Sequence, residues 1–468
     1  MSAIVNQKVD FTEGKITPKL IKFAIPIMLT GLLQMLYNAS DMIVVGNFAE
    51  NRSHAMGAVG ACAALINMIV GLFIGISVGA GVVVARNVGA KRLDNIKSII
   101  DTSIVFSLIC GIFVCAFGVI FAKDLLIIMK TPDEILSEAV PYMQAYFVGV
   151  PASLIYNFLA SIVRSTGDSK RPLIFLAVSG LINVAFNIVM VLCFGMGAVG
   201  VGIATAVSQY FAMLFIIIYL VRRKDYCNLN FKTVRFSKNV LSSIIIIGLP
   251  AGLQSSLFAI SNVVIQSSIN AYGPDAISGN SAAHSLEAFT YMVMNAFYHG
   301  TLTFVGQNMG ARKYDRIPKI AISSVLSVTV IGLVMGWGIY IFGDFFLSIY
   351  EPESAIVREW GLKRLAIVST MHFMVGVMDI GSGVNRGMGK SILSMIISLL
   401  GSVVLRIVWV YTVCVIYPND ITVLYISYPI SWVITAITHF TVAYFIHKKL
   451  KNKKARKKLS HKKIAKIT

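Results

Sequence analysis

The sequence contains few charged residues. Asp, Glu, Lys and Arg together make up 13% of its 468 residues, whereas soluble domains carry about 25%. Hydrophobic residues make up 56% of the chain, and the mean hydropathy is +0.77. This composition excludes a soluble globular protein and predicts an all-α polytopic membrane protein.

The patterns that usually mark enzymes are also missing from the sequence. It has no GxxxxGK[ST] phosphate loop, no HExxH pair and no identifiable Ser–His–Asp set. The six cysteines form no CxxC pair and lie in or beside apolar runs, so we interpret them as buried hydrophobic residues. We therefore expect neither an enzyme nor a bound cofactor. The first 20 residues lack the apolar core and cleavage site of a signal peptide, and none is expected.

The apolar runs predict twelve membrane-spanning helices. They lie near residues 20–47, 55–85, 98–122, 136–162, 172–194, 198–221, 240–271, 279–306, 319–343, 362–385, 391–416 and 421–446. An even number of spans places both termini on the same side of the membrane. Nearly all Lys and Arg residues then fall on the side of the termini, which the positive-inside rule assigns to the cytoplasm. The outer segments contain only Arg52, Lys123, Lys130, Arg358, Lys363 and Arg364.

This distribution also accounts for the formal net charge of +20, so no nucleic-acid partner is expected. The segment 447–468 is strongly basic. It is interpreted either as a disordered tail that fixes orientation or as a tether to anionic lipids.

The chain repeats itself. The segment RNVGAKR at residues 86–92 resembles QNMGARK at 307–313, and RSTG at 164–167 resembles RGMG at 386–389. The repeats predict two six-helix lobes related by a pseudo-two-fold axis along the membrane normal, with a cleft between them. We place the lobes at 1–221 and 240–446, with a cytoplasmic linker at 222–239 and a basic cytoplasmic tail at 447–468.

Acidic residues inside apolar spans are costly and by default indicate an ion or substrate pathway. Asp41 lies in the first span, where Gln34, Tyr37 and Asn38 share its helical face. The alternative interpretation is that Asp41 lies at the outer end of its helix and contacts only headgroup water.

The second lobe contains the other two intramembrane acids, Glu287 and Asp379. The same helical face as Glu287 carries His284, Tyr291 and Asn295. If Glu287 and Asp379 approach one another, they should share a proton that a cation can replace. The alternative is that Arg406, inside the eleventh span, neutralises one of the acids permanently.

The NxGA loop with two basic residues after span two, its copy after span eight, and the RGMGKS loop after span ten resemble the multidrug and toxic compound extrusion (MATE) family. The resemblance covers about residues 15–446. It implies a two-lobed antiporter that exports amphipathic cationic compounds against inward Na⁺ or H⁺. It also implies a cation site in the first lobe that could hold Na⁺, formed by Asp41, Asn183, Asn187 and Thr205.

One departure from the family pattern concerns Asn187, where family members usually have a second acid. Neutral oxygens can still bind Na⁺, but the departure argues against a two-carboxylate proton relay. In the second lobe, Asp379 resembles a coupling acid that some family branches carry in helix ten.

We therefore expect a monomeric, cation-coupled exporter in the cell membrane, with both termini cytoplasmic and with small amphipathic molecules and lipids as its partners. One alternative is a flippase for a lipid-linked saccharide or related polar lipid. The other is a membrane receptor or scaffold, which would not need three buried acids.

Overall fold

The computed structural model describes residues 10–49, 51–350, 352 and 354–464, and the side chains of this range up to residue 454. All regular secondary structure in these ranges is helical. The first half contains α1 (Ile16–Phe48), α2 (Arg52–Gly89), α3 (Asp94–Ile120), α4 (Ala122–Ile128), α5 (Asp133–Ser165), α6 (Lys170–Ile188), α7 (Gly197–Val221) and α8 (Lys238–Asn270). The second half contains α9 (Pro274–Gly310), α10 (Ile317–Ile341), α11 (Gly343–Tyr350), α12 (Ala355–Arg364), α13 (Phe373–Gly387), α14 (Ser391–Ser398), α15 (Leu405–Ile416) and α16 (Ile421–Ile464).

Each predicted span coincides with one long helix or with a pair of successive helices. Within the described ranges, ten helical spans are long and apolar enough to cross a membrane, and the pair α12 and α13, bent by 42°, forms an eleventh. The remaining predicted span corresponds to α9, which is 37 residues long but carries many polar side chains. The all-helical polytopic fold is thus confirmed.

The described chain divides into two compact units. Unit 1 contains Ile25–Val88 and Arg92–Ser256, and unit 2 contains Asp10–Ala24, Gly89–Lys91 and the chain from Leu257 onward. Helices α1 and α8 therefore contribute residues to both units. The predicted lobe boundaries and the pseudo-two-fold axis stay predictions.

Small residues bring two helices of unit 1 into backbone contact. A Cβ atom at Gly79 of α2 would lie 2.3 Å from the Ile244 carbonyl oxygen of α8. A Cβ atom at Gly75 would lie 2.3 Å from the Gly252 Cα atom. Such close approach is typical of membrane helices, which associate through packing rather than through a hydrophobic driving force.

The segment that precedes α1 is anchored to unit 2. Phe11 is 1% exposed, and its ring stacks on Phe304 with 4.0 Å between the centroids. Its backbone N–H donates to Gln307 Oε1 at 3.3 Å, and its carbonyl accepts from Asn308 Nδ2 at 3.1 Å. The repeated QNMGARK loop thus begins with two side chains that fix the N-terminal segment.

The basic tail continues α16 rather than starting a separate segment. The helix extends to Ile464, and two of its lysines contact the loop after α9. Lys451 Nζ lies 3.2 Å from Asp315 Oδ1, and Lys454 Nζ donates to the Arg312 carbonyl at 2.9 Å. The interpretation of this tail as disordered is therefore wrong up to residue 464, because basic residues with good helix propensity extend the preceding apolar helix.

The glycine contact yields a prediction about stability. Gly79→Ala should lower the thermal unfolding temperature of the purified protein, since overpacking a close contact costs about 1–3 kcal/mol. Gly60→Ala on the same helix is the matched control, because nothing lies within 4 Å of its added Cβ atom. Equal unfolding temperatures for the two variants would contradict the packing of α2 against α8.

Candidate functional site

A polar cluster in unit 1 joins α1, α6 and α7. We call it the Asp41 cluster, and it consists of Asp41, Asn183, Asn187 and Thr205. Asn187 Nδ2 donates to Asp41 Oδ1 at 2.6 Å and also lies 3.3 Å from Asn183 Oδ1. Asn183 Nδ2 donates in turn to Thr205 Oγ1 at 3.4 Å. The structure thus brings together the four residues for which a cation site is expected.

The two amides of the Asp41 cluster are deeply buried. Asn183 is 4% exposed and Asn187 is 0% exposed. The carbonyl oxygen of the Asn187 side chain has no hydrogen-bond partner among the described residues. A buried oxygen without a donor is costly in an apolar interior. An oxygen of this kind is therefore available to a bound cation.

The backbone changes its geometry next to these amides. Helix α6 ends at Ile188 and continues as a π-helical segment over Val189–Cys193. Such segments inside helices are rare and occur frequently at functional sites. The spacing of Asn183 and Asn187 places both on one face of α6, which predicted their proximity. No feature of the sequence indicated the π-helical segment.

The remaining expected residues of α1 do not join the Asp41 cluster. The Tyr37 hydroxyl donates to the Leu176 carbonyl at 3.0 Å, and its ring packs directly against Gly180. Gln34 and Asn38 are exposed. Within the described chain, no hydrogen bond connects either of them to the cluster. Tyr37 therefore holds α1 against α6, next to the cluster rather than in it.

Sequence reasoning missed two tyrosines of α5 that lie near Asp41. Tyr142 and Tyr146 are close enough to its carboxylate to interact with it electrostatically. Tyr142 is 6% exposed. Their spacing of four residues places them on one face of α5, a signal that could have found them.

The second lobe contains a buried ion pair. Arg364 Nε and Nη2 donate to the two carboxylate oxygens of Glu287 at 3.0 and 2.7 Å. Arg364 Nη1 donates to Asn280 Oδ1 at 2.8 Å. The two charged side chains are 2% and 4% exposed, respectively. This two-point geometry is the strong form of an ion pair, and it satisfies both carboxylate oxygens.

This pair corrects two expectations. Arg364 was counted as an outer-segment residue, but it is buried at the end of α12, which begins at Ala355. Glu287 has an arginine partner that neutralises it, as the alternative to a shared proton predicted. That partner is Arg364 rather than Arg406, and Glu287 is not paired with Asp379. The reason is that α12 starts before the predicted span and turns Arg364 toward the protein interior.

The other expected residues of this lobe occupy separate positions. Asp379 of α13 is half-buried beside Tyr291, whose hydroxyl accepts from Asn295 Nδ2 at 3.4 Å. His284 lies on the exposed face of α9. Arg406 is 7% exposed, and its Nε donates to Ser431 Oγ at 2.8 Å. Asp379 interacts electrostatically with Arg386, but none of the ion pairs in the described structure includes it, in contrast to Glu287.

Long apolar helices with polar clusters buried inside each unit are typical of a polytopic membrane transporter. The family model MatE matches residues 26–189 and 250–412. The chain thus belongs to the MATE family of multidrug efflux transporters, and it is a transporter rather than an enzyme.

Individual relatives agree with this assignment. "Probable multidrug resistance protein YoeA" of Bacillus subtilis is 25% identical over 437 residues, which cover 91% of this chain and 93% of that protein. "Multidrug export protein MepA" of Staphylococcus aureus is 24% identical over 401 residues, with 86% and 88% covered. The fold is similar to that of a multidrug resistance MATE family transporter solved in an outward-facing conformation. The TM-score is 0.88 at 22% identity, with 96% of this chain and 99% of that chain covered.

The ion pair yields a prediction about stability. Glu287→Gln should destabilise the protein by about 3–5 kcal/mol, because it leaves the Arg364 charge buried without a counter-ion. The double variant Glu287→Gln with Arg364→Met should recover part of that loss. Thermal unfolding of the purified protein measures both effects.

The neighbouring pair of Glu359 and Lys363 is the control. Its charged atoms lie 2.9 Å apart, but both side chains are about half exposed or more, so Glu359→Gln should change the unfolding temperature little. An equal effect of Glu287→Gln and Glu359→Gln would show that the buried pair does not carry this stability.

Proposed function

We propose that the protein exports amphipathic, cationic compounds across the cytoplasmic membrane in exchange for Na⁺ or H⁺, by alternating access. In this proposal both termini are cytoplasmic and the protein acts as a monomer. The observation that carries the proposal is the Asp41 cluster. The Asp41 carboxylate accepts a hydrogen bond from the Asn187 side-chain amide and has no basic ion-pair partner in the described part of the chain.

A carboxylate in this setting favours a cation. A charge in a low-dielectric interior is costly unless it is paired. Asn187 supplies one hydrogen bond to Asp41 but no compensating charge. A bound Na⁺, a proton or a cationic drug would each supply that charge. The state in which the Asp41 carboxylate is ionised and no cation is bound is therefore energetically unfavourable.

The donor atoms of the Asp41 cluster suit either coupling ion. Carboxylate, amide and hydroxyl oxygens are the ligands that hard cations prefer. The Asp41 carboxylate, the unpartnered Asn187 Oδ1 and Thr205 Oγ1 would be the ligands of Na⁺. A proton would bind Asp41 alone. In both cases Asp41 would be the only carboxylate of the cluster that binds the coupling ion, because residue 187 is an amide.

Exchange follows from competition for one negative charge. If the drug and the coupling ion both neutralise Asp41, each lowers the affinity of the protein for the other by the same factor. Binding of the ion on the outside would then release the drug there, and binding of the drug on the inside would release the ion. This reciprocity is the thermodynamic core of an antiporter.

In the second lobe, Asp379 is the remaining candidate for a coupling acid. Glu287 is already neutralised by Arg364, so a cation gains little there. The multidrug relatives favour drug export over the flippase alternative.

The proposal predicts that Asp41→Asn abolishes coupled export of ethidium from inverted membrane vesicles. The substitution preserves the shape of the side chain and removes the charge for which drug and ion compete. Asp124→Asn is the matched control, because Asp124 is an exposed acid of unit 1 outside the cluster. Protein level and unfolding temperature should be the same in both variants. Export at the wild-type rate in folded Asp41→Asn would rule out Asp41 as the coupling residue.

A second prediction concerns the ion. In proteoliposomes, a Na⁺ gradient and a pH gradient are imposed separately, and uptake of ethidium against its own gradient is followed. We expect that at least one of the two drives accumulation in the wild type and that neither does so in Asp41→Asn. If neither gradient drives accumulation in the wild type while ethidium still equilibrates, the protein is not a cation-coupled exporter.

A further inference from the structure

Arg406 is one of three arginines buried in the described part of unit 2, and its environment differs from that of Arg364. Its Nε donates to Ser431 Oγ at 2.8 Å. Its guanidinium carbon lies 4.4 Å from the Tyr428 ring centroid and 5.6 Å from that of Trp432. No carboxylate of the described chain forms an ion pair with it, and its terminal nitrogens have no hydrogen-bond acceptor there.

The acids of the second lobe interact with side chains other than Arg406. Glu287 is bonded at two points to Arg364, which lies 5.2 Å from the centroid of the same Tyr428 ring. Asp379 interacts with Tyr291 and Arg386. Two guanidinium groups therefore share one tyrosine ring, but only one has a carboxylate. Aromatic rings offset part of the cost of a buried cation, but a full counter-charge is missing.

A buried histidine that contacts the same tryptophan also lacks hydrogen-bond partners among the described residues. His372 is 7% exposed, and neither of its ring nitrogens has a hydrogen-bond partner among the described residues. Its ring lies edge-on to Trp432, with 5.5 Å between the centroids. Trp432 is thus in contact with both His372 and Arg406. Unpartnered polar atoms of this kind in a native interior call for a ligand or water.

The backbone around these two side chains is irregular. A π-helical segment, Leu365–Ser369, precedes His372, and another, Leu399–Val404, precedes Arg406. Such segments occur frequently at functional sites. In unit 1, a π-helical segment also adjoins Asn187 of the Asp41 cluster.

We propose that Arg406, with His372, Tyr428 and Trp432, forms a subsite in unit 2 that binds an oxyanion carried by an aromatic amphiphile. The planar guanidinium fork matches a carboxylate or a phosphate at two points. The two aromatic rings provide an apolar wall for the body of the ligand. The subsite extends the proposed function: the protein accepts anionic or zwitterionic compounds as well as cations. It does not depend on the coupling role of Asp41.

The test is direct binding to the full-length protein in nanodiscs of phosphatidylcholine. The probes are 1-naphthylacetate and its uncharged methyl ester, and isothermal titration calorimetry measures both affinities. We expect the wild type to bind the acid more tightly than the ester. Arg406→Gln should weaken binding of the acid by about 10- to 100-fold, the typical loss for a charge-assisted contact. Binding of the ester should not change.

Two further variants separate charge from fold. Arg406→Lys keeps the charge and should retain part of the preference for the acid. Lys363→Gln removes an exposed positive charge of the same unit and should leave both affinities unchanged. Elution volume and unfolding temperature establish that each variant is folded. If Arg406→Gln does not fold, the comparison of acid and ester in the wild type and in Arg406→Lys still decides.

Nanodiscs that also contain phosphatidylglycerol distinguish the source of the oxyanion. Weaker binding of 1-naphthylacetate in these discs, in the wild type but not in Arg406→Gln, would assign the subsite to the headgroup of an anionic lipid. Unchanged binding would assign it to soluble anions. Equal affinity of the wild type for acid and ester, or unchanged binding of the acid by folded Arg406→Gln, would overturn the proposal.

Discussion

Every charged group inside the apolar part of this chain has to be neutralised or solvated, and three clusters in the described structure meet this constraint differently. The cost of an unpaired charge in such a medium exceeds that of any single packing contact. Glu287 has a two-point arginine partner. Asp41 has the Asn187 amide and the Thr205 hydroxyl within reach. Arg406 has two aromatic rings and a serine. Only the first of these arrangements is complete without a ligand.

This difference separates structure from transport. The Glu287–Arg364 pair joins α9 to α12, and its charges are balanced in every state that keeps the two helices together. Asp41 and Arg406 carry opposite charges that remain unbalanced, in unit 1 and in unit 2. A transporter has to release its ligands again. A site whose charge is unbalanced without a ligand can bind and release one, whereas a charge that is permanently paired requires no ligand. The incomplete clusters are therefore the ones to which we assign ligands.

Much of the fold could be predicted from the sequence, because apolar runs of about 20 residues leave few alternatives to spanning helices. The Asp41 cluster could be predicted for a similar reason, because the spacing of Asn183 and Asn187 places both residues on one helical face. The burial of Arg364 could not be predicted, because Arg364 adjoins the exposed Lys363. Only the position at which α12 begins in the structure determines which of the two side chains points inward. No local sequence pattern predicts the π-helical segments, or the contact of Arg406 with Tyr428 on the following helix.

The central claim is that a drug and a coupling cation compete for the charge of Asp41. Its most direct test is the dissociation constant of ethidium for purified protein, measured by calorimetry over a series of Na⁺ concentrations and separately over a series of pH values. The account predicts that this constant rises with the concentration of at least one of the two cations in the wild type and is independent of that cation in Asp41→Asn. A dissociation constant that is insensitive to both cations in the wild type, or that keeps its full dependence in folded Asp41→Asn, would contradict it.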